Sequence, residues 1–267
     1  MDAHLIKLDR DHPGFRDPDY RRRRDAIARQ ALSHQAGQPA PRVDYTEAEQ
    51  GVWKVALEAL VPLHAKYACA SYRAAFLDLP FTKDRIPQLS EMGVALTART
   101  GFTYAPVAGL MSPREFMEEL EHHVFLATQY MRHPSAPLYT PEPDVIHELV
   151  GHAPSLAHPR YATLNALFGS ATRRTKDDAR VEALIRTYWY CLEFGLVKEG
   201  GAVKAVGAGL LSSFGELGRF EKEAKLVPFD LDVIAATPFD PTQYQGTLFV
   251  ADSEEAMLGA LELFLQR

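Results

Sequence analysis

The stretch Pro141-Glu-Pro-Asp-Val-Ile-His147-Glu-Leu-Val-Gly-His152 constrains this chain more than any other. Pro134, Pro137, Pro141 and Pro143 force an extended run. A helix opens near Pro143-Asp144, and two histidines follow at positions i and i+5, with a carboxylate directly after the first. A zinc-protease helix needs histidines at i and i+4, so that both face one ion. On an ideal α-helix, five steps leave two side chains about 140° apart. For His147 and His152 to share an ion, the helix must therefore end or bend between them. Gly151 and Pro154 are where such a break is expected.

A working metal site needs a third ligand. The best candidate is Glu193, because Tyr188-Trp-Tyr-Cys-Leu-Glu193-Phe-Gly is apolar and aromatic. A carboxylate there is costly to bury unless it is paired or bound to metal. Two histidines and one carboxylate on one face leave positions open, the arrangement of non-haem Fe(II) oxygenases. Zinc accepts the same three ligands, and a zinc hydrolase with Glu148 as base is the competing chemistry. The i+5 spacing speaks against it. Taken alone, Glu193 reads equally well as a buried partner between helices, and spacing does not choose the metal.

The rest of the chain bounds the setting. Its 267 residues are 46% hydrophobic and 24% charged, the range of a soluble globular protein. The net charge of −6 leaves no basic excess for nucleic acid. Arg21 to Arg24 form one basic run, but Asp17, Asp19 and Asp25 flank it, and it reads as a solvated helix face. Two cysteines, Cys69 and Cys191, argue against a disulfide scaffold. With no long apolar stretch and no apolar signal core at the N-terminus, a cytoplasmic protein is expected.

Helical patterning dominates. Residues 1–19 read as an irregular arm, and helices are expected over 19–35, 47–67, 69–78 and 89–101. Thr46 and Glu49 form a capping-box candidate. Ser112-Pro113-Arg-Glu115 starts a helix expected to reach Gln129. Helices over 159–169, 178–195 and 253–266 follow. Strand signals are confined to Ala202–Val206 and Gly246–Val250. The fold class is mainly α, one catalytic domain over residues 20–267 with a small β-hairpin or sheet.

From about Tyr20 onward the chain resembles the pterin-dependent aromatic amino acid hydroxylases. The resemblance rests on Ile86-Pro-Gln-Leu89, Thr100-Gly-Phe102, Pro106-Val-Ala-Gly-Leu110, Thr128-Gln-Tyr130, Arg132-His133, Tyr139-Thr-Pro-Glu-Pro-Asp144, His147-Glu-Leu, Gly151-His152, Glu193-Phe-Gly-Leu196 and Gly207-Ala-Gly-Leu-Leu-Ser-Ser-Phe-Gly-Glu-Leu217. It implies that His147, His152 and Glu193 hold Fe(II), with Glu148 off the metal and beside a tetrahydropterin. Gly109, Met111 and Phe116 would contact the pterin, although Phe116 by itself reads as helix core. Arg132 would pair with the substrate carboxylate, a role that suits a guanidinium fork. Thr140 and Ser212 would add hydroxyl hydrogen bonds to it, and Trp189 and Phe194 would line the substrate pocket. The implied reaction is ring hydroxylation of an aromatic amino acid by dioxygen.

Three residues depart from the family pattern. Pro113 stands for a pterin-loop serine, Leu126 for a histidine near the cofactor, and Pro241 in Phe239-Asp-Pro241 at a position that sorts substrates. Trp189 favours the phenylalanine and tyrosine enzymes, and phenylalanine is the expected substrate. Neither the regulatory domain nor the tetramerisation helix of the animal members is seen, so a monomer with small-molecule partners is expected.

Overall fold

The computed structural model describes residues 5–266, so the first four residues of the expected arm lie outside the described residues. Helix α1 spans Pro18–Leu32, with the Asp17 carboxylate capping the amides of Asp19 and Tyr20. Helix α2, Glu47–Tyr67, starts at the expected Thr46/Glu49 capping box and buries Val52, Trp53, Ala56, Leu57 and Leu60 along one stripe. Helices α3 (Ala70–Leu77) and α4 (Leu89–Thr100) follow, and β1 is Thr103–Pro106.

Helix α5 begins at Pro113 under a Ser112 cap, as its sequence predicts, but it ends at Leu120 rather than near Gln129. His123 takes a positive φ of 58°, and Val124–Ala127 becomes β2, paired in parallel with β1. The apolar run Val124-Phe-Leu-Ala buries Phe125 and Ala127 while pairing with β1, so tertiary pairing overrides the helical start.

A π-turn, His147–His152, then runs into α6 (Ala153–Ala157), followed by α7 (Pro159–Arg174) and α8 (Asp178–Tyr188). A second π-turn, Trp189–Glu193, extends α8. Strands β3 (Leu196–Glu199) and β4 (Ala202–Ala205) form an antiparallel hairpin. Its two-residue turn puts Gly200 and Gly201 at φ 58° and 79°, where residues with a Cβ are strained. Short helices α9 (Ala208–Ser212), α10 (Phe214–Leu217) and α11 (Phe220–Glu223) lead to β5 (Lys225–Pro228). Helix α12 (Leu231–Ala236), β6 (Thr247–Ala251) and α13 (Glu254–Gln266) close the chain. The four-stranded sheet has the order β4-β3-β6-β5. Of these strands β4 and β6 were expected, while β3 and β5 carried no clear period.

The architecture is therefore mainly helical with two small sheets. One continuous core joins Trp53 and Met92 to Phe102, Phe125, Phe168 and Leu261. Both cysteines are free and buried. No helix among the described residues is long and apolar enough to cross a membrane. The basic run on α1 is not uniformly solvated. Arg24 is 2% exposed, donates to Glu142 at 2.8 Å and lies 3.3 Å above the Tyr130 ring.

Candidate metal centre and active site

The break expected at Gly151 and Pro154 does not occur. The helix widens instead. A π-turn closes on i+5, so residues five apart come to lie one above the other. This brings the Nε2 atoms of His147 and His152 to 2.9 Å from each other. The second π-turn, closed by Phe194 N–H donating to the Trp189 carbonyl at 2.9 Å, ends at Glu193. Its carboxylate reaches His152 Nε2 at 3.2 Å and His147 Nε2 at 3.9 Å. Two wide turns from distant parts of the chain thus converge three donors on one point.

That spacing suits an ion. Ligands about 2.1 Å from a common metal, in adjacent positions, sit about 3 Å from each other. The electrostatics differ from donor to donor. Burial, with His152 beside it, pushes His147 down to about 4, so it is the neutral, metal-binding form at neutral pH. Burial also acts against a charge on Glu193, but His152, His147 and the Gly209 amide together outweigh it and hold the carboxyl below its ordinary range. For His152, burial is outweighed in turn by the Glu193 carboxylate, which lifts it.

A second carboxylate is near. Donor atoms of His147, Glu148 and His152 lie within 4.8 Å of one another. Glu148 is otherwise engaged: its Oε1 accepts from the Thr128 amide and the Thr128 hydroxyl, each at 3.0 Å. Burial pushes its carboxyl up to about 7.

Arg132 is buried, and its fork closes on Asp144: Nε donates at 2.8 Å and Nη2 at 2.7 Å. Asp144 also accepts the His147 amide at 3.3 Å, which ties the arginine to the start of the first π-turn. Thr140 turns inward on its own loop and donates to the Glu142 carbonyl at 2.8 Å. Ser212 sits on His147, with its Oγ 3.0 Å from Nδ1.

Trp189 stacks on Phe239 at 4.3 Å between ring centroids and tilts against Phe194 at 4.7 Å, while its Nε1 donates to Gln245 at 3.0 Å. Phe116 is half-buried and meets Phe125 and Tyr188 edge to face. Gly109 is half-buried and Met111 is 41% exposed, both on the loop before α5. Of the departing residues, Pro113 is exposed at the start of α5, Leu126 is half-buried on β2, and Pro241 is exposed.

Asp144, Thr128 and Gln245 hold these side chains and were not singled out by sequence. Asp144 gave a signal: a carboxylate three residues before a histidine at a helix start is a capping position. Thr128 and Gln245 are brought in by tertiary contacts with no local pattern.

A family model described as biopterin-dependent aromatic amino acid hydroxylase matches residues 3–267. The chain is 48% identical over 226 residues to a chloroplastic phenylalanine 4-monooxygenase of Chlamydomonas reinhardtii, covering 83% of this chain and 62% of the relative. It is 44% identical to the rat phenylalanine-4-hydroxylase, covering 92% of this chain and 55% of the relative. Identity to the human tyrosine 3-monooxygenase is also 44%, over 92% of this chain and 47% of that protein. The chain thus spans about half to three fifths of the length of these relatives. Among solved structures, a phenylalanine hydroxylase of Chromobacterium violaceum with bound iron(III) and 7,8-dihydrobiopterin superimposes with a TM-score of 0.80 at 30% identity, covering 90% of each chain. The chain belongs to the biopterin-dependent aromatic amino acid hydroxylase family.

Proposed function

We propose that the chain hydroxylates the ring of L-phenylalanine to give L-tyrosine, with dioxygen, non-haem Fe(II) and a tetrahydropterin. The observation that carries this reading is the convergence of His147, His152 and Glu193 from two π-turns, with the aromatic cluster of Trp189, Phe194 and Phe239 built from the second of them. His147, His152 and Glu193 would hold the iron rather than Glu148, whose Oε1 already accepts two hydrogen bonds from Thr128. When bound, iron and reduced pterin together activate dioxygen, and one oxygen atom enters the aromatic ring.

The protein orients and excludes water. The Ser212 hydroxyl donates to the Ala208 carbonyl at 2.9 Å and so receives the Nδ1–H of His147, leaving Nε2 with a lone pair for the metal. Phe116, Gly109 and Met111 border the pterin, and Glu148 holds a proton or a hydrogen bond at its carboxyl beside it. Asp144 occupies Nε and Nη2 of Arg132, and Nη1 meets the substrate carboxylate, with Thr140 beside it. Trp189 and Phe194 enclose the ring.

Phenylalanine is favoured by the 48% identity to a phenylalanine 4-monooxygenase. Hydroxylation of tyrosine is the second reading, because a tyrosine 3-monooxygenase is as similar as the rat phenylalanine enzyme, at 44%. The test is to incubate the protein with Fe(II), tetrahydropterin and, separately, phenylalanine, tyrosine or tryptophan, and to identify the products by mass and retention. Tyrosine formed from phenylalanine supports the proposal. Dihydroxyphenylalanine as the preferred product moves it to the second reading. Pterin oxidation with no hydroxylated amino acid overturns it.

A further inference from the structure

The i+5 spacing works only while residues 147–152 stay in a π-turn. If the segment relaxed to an α-helix, His152 would swing by about 100° per residue of register and leave His147. A π-turn is rare and is not the default of a helical sequence, so something outside the segment must favour it. Two tyrosines reach it from different elements. Tyr104, on β1, donates its hydroxyl to the Glu148 carbonyl at 2.7 Å. Tyr72, on α3, donates to the Val150 carbonyl at 2.7 Å. Both are almost fully buried, at 3% and 5% exposure, so water does not substitute for either hydroxyl.

The two carbonyls lie inside the turn, one residue after His147 and two before His152. A side chain that bonds to a ladder carbonyl draws it away from the helix axis and changes the turn. Packing also constrains the turn at Gly151. A Cβ on Gly151 would meet the Ala208 carbonyl oxygen at 2.6 Å, so α9 lies directly against the turn there.

We infer that Tyr72 and Tyr104 are positioning residues of the metal centre, whose hydroxyls hold the π-turn that lines up His147 with His152. Neither touches the ion or the substrate, and each acts through a backbone carbonyl. The inference rests on the reading of the two histidines as metal ligands.

The test titrates cobalt(II) into metal-free protein and follows binding by calorimetry and by the visible absorption of the bound ion. The variants are Tyr72→Phe and Tyr104→Phe, which keep the ring packing and remove one hydroxyl each. Tyr161→Phe is the control. Its ring is equally buried, but its hydroxyl donates to Glu254 at 2.9 Å, outside the turn. All measurements are made well below the melting temperature of the metal-free variants.

Each of the two hydroxyl deletions is expected to weaken cobalt binding by roughly tenfold or more, and to shift the absorption band at saturating cobalt. The control keeps wild-type affinity and band. Wild-type cobalt binding with unchanged affinity and band in both variants overturns this inference alone. An equal loss in Tyr161→Phe also overturns it, because the effect is then one of general core damage. A wild-type protein that binds no cobalt overturns the metal reading and this inference together.

Discussion

The hydroxyl of Ser212 lies 3.0 Å from Nδ1 of His147 and 2.9 Å from the carbonyl of Ala208. The resemblance assigned this serine to the substrate carboxylate, yet its side-chain partner is the His147 imidazole. A hydroxyl has one proton to give. With that proton on Ala208, the serine accepts from His147 and favours the tautomer whose Nε2 carries the lone pair.

Ser212→Ala is therefore expected to weaken metal binding by about 10- to 100-fold, the usual cost of removing such an outer partner. Metal titration of the stripped protein checks this. Unchanged metal affinity with a raised KM for the amino acid would instead return Ser212 to the substrate.

Arg132 and Asp144 make a second prediction, which is first about stability. Burial acts against a charge on Asp144, but the Arg132 fork outweighs it and holds the carboxyl below its ordinary range. Removing one partner strands a charge in a site with 0% exposure for Asp144. Arg132→Ala should cost about 3–5 kcal/mol of folding stability. The double variant Arg132→Ala/Asp144→Ala should lose less than the single one, since no lone charge remains. Urea unfolding of the three proteins decides. Where Arg132→Ala remains folded, its KM for the amino acid should rise far more than its KM for pterin.

Much of the fold was readable because the helices carry their own punctuation. Thr46 with Glu49, and Ser112 with Pro113, mark true starts, and the 47–67 and 253–266 patterns ran close to their observed ends. The parallel pair β1–β2 was not readable, because four-residue segments such as Val124–Ala127 choose their state by what lies beside them. The site was legible as residue types and not as geometry. The histidine pair at 147 and 152 demanded a departure from α-helix, but a break at Gly151 and a widened turn satisfy the same spacing. Only the packed neighbours decide between them. Arg24 failed as a surface residue for a similar reason, since its partner Glu142 stands 118 positions away.

Glu193 gives a third prediction. Glu193→Gln keeps the volume and removes the charge that pairs with both histidines. A carboxylate ligand must be ionised to bind the metal, so metal affinity should fall by at least about tenfold, judged against the milder cost of outer-partner loss. Hydroxylation should fall with it. The corresponding change Glu148→Gln should leave metal affinity near wild type while lowering the rate, because the Glu148 Oε1 is already engaged by the Thr128 amide and hydroxyl. Metal content after dialysis separates the two variants.

His64 gives a prediction that does not involve the metal. Its Nε2 donates to the Leu211 carbonyl at 2.7 Å, one residue from Ser212, and its ring is 4% exposed. Burial pushes it down from an ordinary value of 6.5 to about 4. The unfolded chain therefore takes up a proton on His64 below pH 6.5, while the folded chain resists until about pH 4. Stability from the neutral ring is fully present above 6.5 and is lost as the pH falls through this window. Between pH 7.5 and 5.0 the loss is about 2 kcal/mol at 1.36 kcal/mol per unit. His64→Gln retains a donor for Leu211 and has no such titration. Its urea midpoint should fall less than that of the wild type over the same interval. His147, pushed down in the same direction, is common to both metal-free proteins and cancels from the difference. Equal losses in the two proteins would mean that His64 is already protonated in the folded state, in conflict with its burial.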